Sequence, residues 1–259
     1  VAIPFLVLLI GSGGALMFSM VIGAVCLIAF WEFFHILLGK TEPVNPFCFK
    51  LLAFITGPAI IWAAYINSSK IILGLIALNL IVCALISLLK FKTDDSVLEI
   101  VLKQVLGVVY IPVFLSYLVL IRNGDDGVSW IFFLLIVVFL GDTGAFYTGS
   151  YLGRHKICPA VSPNKTIEGS IGGLAVNVCA GALFKIFFFP LLQWNLSILF
   201  FLCIGVAGQV GDLFESKLKR IANIKDSGEL LPGHGGFLDR IDALLFAAPV
   251  AYFFIEYIL

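Results

Sequence analysis

Apolar residues run through this chain in long stretches broken by short polar ones, and the length of those stretches indicates what they are. A helix that crosses a bilayer needs about 20 apolar residues. On that ruler nine segments stand out, at roughly 1 to 12, 15 to 38, 47 to 66, 71 to 90, 104 to 122, 128 to 149, 169 to 192, 196 to 214 and 240 to 259. The first is short and the third contains Lys50. Between the fourth and fifth, Asp94 to Lys103 interleaves Val97, Leu98, Ile100, Val101 and Leu102 with charges, which predicts a segment lying along the membrane interface before the chain turns in. No internal repeat, low-complexity tract or Pro/Ser-rich linker marks a boundary. The pattern therefore predicts an all-α polytopic membrane bundle, a single transmembrane domain over residues 1–259. Gly169, Gly172 and Gly173, at the head of the seventh segment, would let helices approach closely.

Charge adds an orientation. Nine spans put alternate loops on opposite faces, and 13 of the 16 Lys and Arg residues then fall on one face. The other face holds Lys70 and Arg122, and Lys185 lies inside the seventh span. By the positive-inside rule the N-terminus and the 215 to 240 loop are cytoplasmic, as expected of an integral protein of a bacterial inner membrane or its equivalent. The first apolar run carries no basic region or cleavage site, so a secretory signal peptide is not expected.

Composition agrees. The chain is 61% hydrophobic and 12% charged, where soluble domains carry about 25% charged residues. Formal net charge is zero, so no basic balance argues for nucleic acid. The six cysteines lack CxxC spacing and read as small core residues.

Charge is concentrated between Asp212 and Asp242, a stretch that holds 11 of the 32 charged residues. Two carboxylate pairs at i, i+3 spacing, Asp212 with Glu215 and Asp239 with Asp242, flank a stretch holding Lys217, Lys219, Arg220, Lys225 and Asp226 and then Pro232-Gly233-His234-Gly235-Gly236. Carboxylates beside cations and glycines suggest metal-assisted phosphate chemistry. Acidic residues at the ends of spans are expensive and need a reason. Asp142, Glu168, Asp212, Glu215, Asp239 and Asp242 all fall near one membrane face. Glu32 with His35 in the second span, and Glu256, read as packing or interface residues.

A second motif, Ser162-Pro163-Asn164-Lys165-Thr166-Ile167-Glu168-Gly169, precedes the seventh span. Either Ser162, with proline at the first helical position, or Thr166 is the N-cap. In both cases free amides and Lys165 face one region, a plausible triphosphate cradle. His234 between glycines has two readings, a proton donor or part of a backbone that approaches an anion closely.

The order Ser216-x-Leu218-Lys219-Arg220, Lys225-Asp226-x-Gly228, Pro232-Gly233-His234-Gly235-Gly236-x-x-Asp239-Arg240-x-Asp242 closely resembles the signature of phosphatidate cytidylyltransferases, the CDP-diacylglycerol synthases. The 162 to 169 motif and Asp142-x-x-Ala145-Phe146 resemble further elements of that family. The resemblance implies cytidylyl transfer from CTP to phosphatidate in the bilayer, a catalytic half over 142–242, and a homodimer. Magnesium would be held by Asp212 and Asp239, with Glu215 and Asp242 close behind, and the carboxylates would admit a second cation. Lys165, Lys219, Arg220, Lys225 and Arg240 would hold phosphates; Ser162, Thr166, Glu168 and Asp142 belong to the elements associated with the nucleotide; Asp226 and His234 complete the catalytic set. Two other readings compete. A CTP-dependent polyprenol or phytol kinase would share the bundle and upstream motif but needs a general base. An ion-coupled transporter would also carry acids in its spans, but typically with internal repeats and midplane sites.

Overall fold

The computed structural model describes residues 2–38, 45–91, 96–224, 227–228 and 235–259. Among them seven helices are long and apolar enough to cross a bilayer: Ala15–Leu37, Phe47–Tyr65, Ser69–Leu89, Ser96–Asn123, Gly127–Leu152, Ile167–Phe188 and Trp194–Ile221. The protein is an all-α polytopic membrane protein. The outermost expected segments are helical as well, α1 (Ala2–Gly11, 10 residues) and α10 (Asp242–Tyr257, 16 residues). At about 1.5 Å per residue both are shorter than a hydrocarbon core of about 30 Å.

The chain divides into two compact units. The first comprises residues 1–123 with 226–238. It contains α1, α2 (Ala15–Leu37), α3 (Phe47–Tyr65), α4 (Ser69–Ile86), α5 (Ser96–Val108) and α6 (Phe114–Asn123). Its core is aromatic. Phe30, Phe33, Phe34 and Phe49 are fully buried, with Phe30 stacked on Phe34 at 5.3 Å. A Cβ at Gly57 of α3 would stand 2.5 Å from the Phe30 ring, so glycine is what lets that ring approach the helix so closely. One cluster of buried polar side chains is paired internally, which offsets the cost of burying it away from water. Gln104 Nε2 donates to Asn79 Oδ1 at 2.9 Å, Asn79 Nδ2 donates back to Gln104 Oε1 at 3.1 Å, and Thr56 joins through Asn79.

From Ser96 onward the stretch expected along the interface is helical and joined to the following span. Helices α5 and α6 are joined by a π-helical turn, Val109–Val113, that contains Pro112. Proline lacks the N–H that a regular turn requires, and a widened turn accommodates the gap. Glu99 and Lys103 neutralise one another at 2.9 Å one turn apart, while Val97, Ile100, Val101 and Gln104 are buried.

The second unit comprises residues 124–225 with 239–259. Helix α7 (Gly127–Leu152) leads through an antiparallel hairpin, β1 (Lys156–Cys158) and β2 (Ser162–Thr166), into α8 (Ile167–Phe188), followed by α9 (Trp194–Ile221) and α10. Small residues set the α7–α8 approach, as expected from the sequence. A Cβ at Gly173 would lie 2.9 Å from the Gly141 carbonyl oxygen, and one at Gly172 would lie 2.2 Å from Thr148 Oγ1. One end of α7 is packed by rings, with Trp130 stacked on Phe189 at 3.9 Å and Phe133 on Phe200 at 5.4 Å. Asp142 lies about 18 Å further along that helix at 1.5 Å per residue, and the polar residues gather there.

Candidate active site

The polar end of the second unit is built outward from a helix start. Thr166, not Ser162, is the N-cap of α8: its Oγ1 accepts from the Gly169 N–H at 3.1 Å. Ser162 begins β2 and pairs in register with Cys158, so Ser162-Pro163 opens a strand and the helix starts four residues later than the Ser-Pro reading predicts. Proline at the second position of a short edge strand loses no obligatory ladder bond. Lys165, the last residue before the cap, is thereby placed at the mouth of the helix.

Lys165 forms an ion pair with Asp212 of α9. Asp142 of α7 lies within the electrostatic reach of both. These three residues line a cavity of about 610 Å³, together with Asn164, Thr166 and Gln209. Such a volume is in the range of small-molecule sites, about 300–1,000 Å³. Gln209 ties α9 to α8 through Nε2, which donates to the Ser170 carbonyl at 3.0 Å. Sequence reasoning passed over Gln209, although it lies one helical turn before Asp212 in an otherwise apolar run, and this was the available signal.

Glu168 makes contacts within the α7–α8 connection. It accepts from the Arg154 N–H at 3.0 Å and from the His155 N–H, and meets His155 Nδ1 at 2.6 Å. It closes the turn that connects α7 to β1 and does not line the cavity. Arg220 similarly braces the hairpin, donating from Nε to the Val161 carbonyl at 3.1 Å.

Further along, Lys219 is shared by two acids. Its Nζ lies 2.8 Å from Glu215 Oε2 and 2.5 Å from Asp239 Oδ1. Glu215 is buried, has Asp239 and Asp242 as charged neighbours, and its Oε1 has no hydrogen-bond partner among the described residues. Asp242, also buried, receives the Ala243 N–H at 2.7 Å, and its charged neighbours include Asp212 and Asp142. The structure therefore brings Asp142, Lys165, Asp212, Glu215, Lys219, Asp239 and Asp242 into one electrostatically linked group. Arg240 is exposed in the turn before α10. Lys225, Asp226 and His234 lie outside the described residues.

A family model described as "Cytidylyltransferase family" matches residues 1–258. The chain belongs to the cytidylyltransferase family. Among its relatives, the phosphatidate cytidylyltransferase of Bacillus subtilis (strain 168) is 42% identical over 149 residues, 57% of this chain and 55% of the relative. That of Staphylococcus saprophyticus is 42% identical over 137 residues, 52% of each. That of Staphylococcus epidermidis (strain ATCC 35984) is 36% identical over 179 residues, 68% of this chain and 66% of the relative. The chain thus spans about half to two thirds of the length of these curated relatives. Membership of a cytidylyltransferase family fits a cavity with a lysine at a helix start and carboxylates opposite.

The carboxylates also suit a divalent cation. An orphaned, buried Glu215 oxygen amid further acids is a position that a cation would satisfy. Among the described residues no three Asp, Glu, His or Cys side chains form a ready-made metal cage. Magnesium does not require one, because it binds through one or two carboxylates and completes its shell with phosphate oxygens and water.

Proposed function

We propose that this protein transfers the cytidylyl group of CTP to phosphatidate, giving CDP-diacylglycerol and pyrophosphate for phospholipid synthesis. The observation that carries the reading is the cavity in which Lys165, at the Thr166-capped start of α8, meets Asp212 and Asp142. A helix N-terminus with a lysine beside it favours a polyphosphate. The relatives bearing the name phosphatidate cytidylyltransferase support the same substrates.

Phosphatidate carries a phosphate monoester with a second pKa of about 6, so at neutral pH it is largely a dianion and needs no strong general base. One of its oxygens attacks the α-phosphorus of CTP. A new P–O bond forms, the bond from that phosphorus to the bridging oxygen of the β-phosphate breaks, and pyrophosphate leaves with the electron pair. The obstacle is repulsion between two anions, and fixed cations aimed at the developing charge reduce it. Lys165 would hold the nucleotide phosphates and the exposed Arg240 the leaving group, while Lys219 keeps Glu215 and Asp239 in place. Asp212 and Asp239 would hold magnesium, with Glu215 and Asp242 beside them, and the bound ion would neutralise phosphate charge and orient the reactants. The cytoplasmic opening of the cavity, the homodimer implied by the resemblance, and the treatment of 1–259 as one transmembrane domain with its catalytic half at 142–242 belong to the same proposal.

The test is incubation of the detergent-solubilised full chain with CTP labelled at the α-phosphorus, magnesium and either phosphatidate or a polyprenol. Label appearing in lipid only with phosphatidate is expected. A phosphorylated polyprenol without lipid-linked α-label would establish a kinase instead, and no transfer to either lipid would overturn both.

A further inference from the structure

An acid in the middle of an apolar span is costly and needs a reason. Glu32 of α2 is fully buried, and its sequence context suggested a packing or interface residue. Its partners come from the signature segment some two hundred residues away. Oε1 accepts from the Phe237 N–H at 2.8 Å. Oε2 accepts from the Leu238 N–H at 2.7 Å and from the Ser227 hydroxyl at 3.0 Å. All of these residues belong to the first compact unit.

The signature glycines frame the same carboxylate. A Cβ at Gly228 would lie 2.8 Å from Glu32 Oε1, and one at Gly236 would lie 2.9 Å from Oε2 and 1.8 Å from Ser227 Oγ. Any larger residue at either position would displace the carboxylate or the serine. Gly235, at φ 77°, turns the backbone in a conformation that other residues rarely adopt. Glycines in such a segment suggest close approach of the backbone to an anion, and for Gly228 and Gly236 that anion is a side chain of the protein.

We infer that Glu32 is a positioning residue for the signature segment: its carboxylate is the internal anion on which Ser227, Phe237 and Leu238 are fastened, holding the backbone that runs directly into Asp239. The inference rests on the reading of Asp239 as a participant in transfer. Among the described residues three donors converge on two oxygens, so loss of the carboxylate would release the two amides immediately before that residue.

The experiment compares full-length wild type with Glu32→Gln, Glu32→Asp and Ser227→Ala in detergent, by steady-state kinetics and by hydrogen exchange. Glutamine keeps the size but offers one acceptor oxygen, and its NH₂ group opposes one of the three donors. Altering outer partners of a metal ligand typically costs about 10 to 100-fold. We expect a kcat loss of that order in Glu32→Gln, little change in the KM for CTP, and partial recovery in Glu32→Asp. Exchange should quicken at residues 235–238 and stay unchanged in α3. Ser227→Ala, which removes one donor from the other side and keeps the carboxylate, should show the same pattern more weakly even if Glu32→Gln fails to fold. Unchanged exchange at 235–238 in both Glu32→Gln and Ser227→Ala would overturn the inference, as would wild-type kcat in Glu32→Gln. Absence of transfer by the wild-type protein would count against the proposed reaction alone, because the exchange measurement does not depend on it.

Discussion

Replacing Lys219 by methionine would show whether this residue is part of the protein's own charge balance or is held for the substrate. Methionine keeps most of the aliphatic stem and removes only the ammonium, so packing is disturbed little. The ammonium lies 2.8 Å from Glu215 and 2.5 Å from Asp239, and the three side chains are 13%, 1% and 15% exposed respectively. Water can therefore do little for the two acids once their cation is gone. Breaking a buried pair from one side costs about 3–5 kcal/mol. The lower end applies here, since Asp239 keeps some access to solvent. A loss of about 3 kcal/mol lowers the folding equilibrium by on the order of a hundredfold. The assay is unfolding in mixed micelles of increasing denaturing-detergent fraction, run on Lys219→Met, Glu215→Gln and the double variant. Because Glu215→Gln removes the excess charge, the double variant should recover more than about 1 kcal/mol, within the usual coupling range of 0.5–3 kcal/mol. Additivity within about 0.5 kcal/mol would refute the reasoning. So would a Lys219→Met protein of normal stability whose only defect is a raised KM for CTP, which would make Lys219 a phosphate ligand.

Lys165→Ala should raise the KM for CTP more than that for phosphatidate, measured by initial rates with each substrate varied in turn; the reverse would move the start of α8 to the lipid side. Asp212→Asn and Asp239→Asn should each reduce transfer by at least about 10 to 100-fold in monodisperse protein. Added magnesium should restore a single variant only in part, and the double variant should be little worse than either, since groups acting as one unit are not additive. Cys158, in the α7–α8 hairpin and partly exposed, should escape a membrane-impermeant maleimide in intact cells and react after the inner membrane is permeabilised. Gly173→Ala, whose Cβ would lie 2.9 Å from the Gly141 carbonyl, should cost about 1–3 kcal/mol by overpacking; in the same unfolding assay Gly74→Ala, with nothing within 4 Å, should be tolerated.

The length and spacing of the apolar runs determined the fold class, because no lipid-exposed backbone survives in a bilayer except as helix or closed barrel. The same pattern located most boundaries of the seven long helices to within a few residues, although one helix begins eight residues before, and another ends seven residues beyond, the expected segment. It did not show that Ser96 to Lys103, where a charge pair lies one turn apart, is helical and joined through a π-helical turn to the next span. The crowding of Asp212, Glu215, Asp239 and Asp242 was also legible, since those residues are local in sequence and each is too costly in an apolar chain to be incidental. Their partners were not. Which residue caps α8 depended on Ser162 being drawn into a strand with Cys158, a pairing that local propensity does not encode. That Lys219 is held between Glu215 and Asp239, that Glu168 closes a turn, and that Gln209 faces the cavity are consequences of how helices pack. Glu32 shows the limit best. Its neighbours in sequence are apolar and describe a buried helix, and its hydrogen-bond partners lie some two hundred residues away. Hydropathy records that such a carboxylate must be satisfied, and only the tertiary structure decides which donors satisfy it.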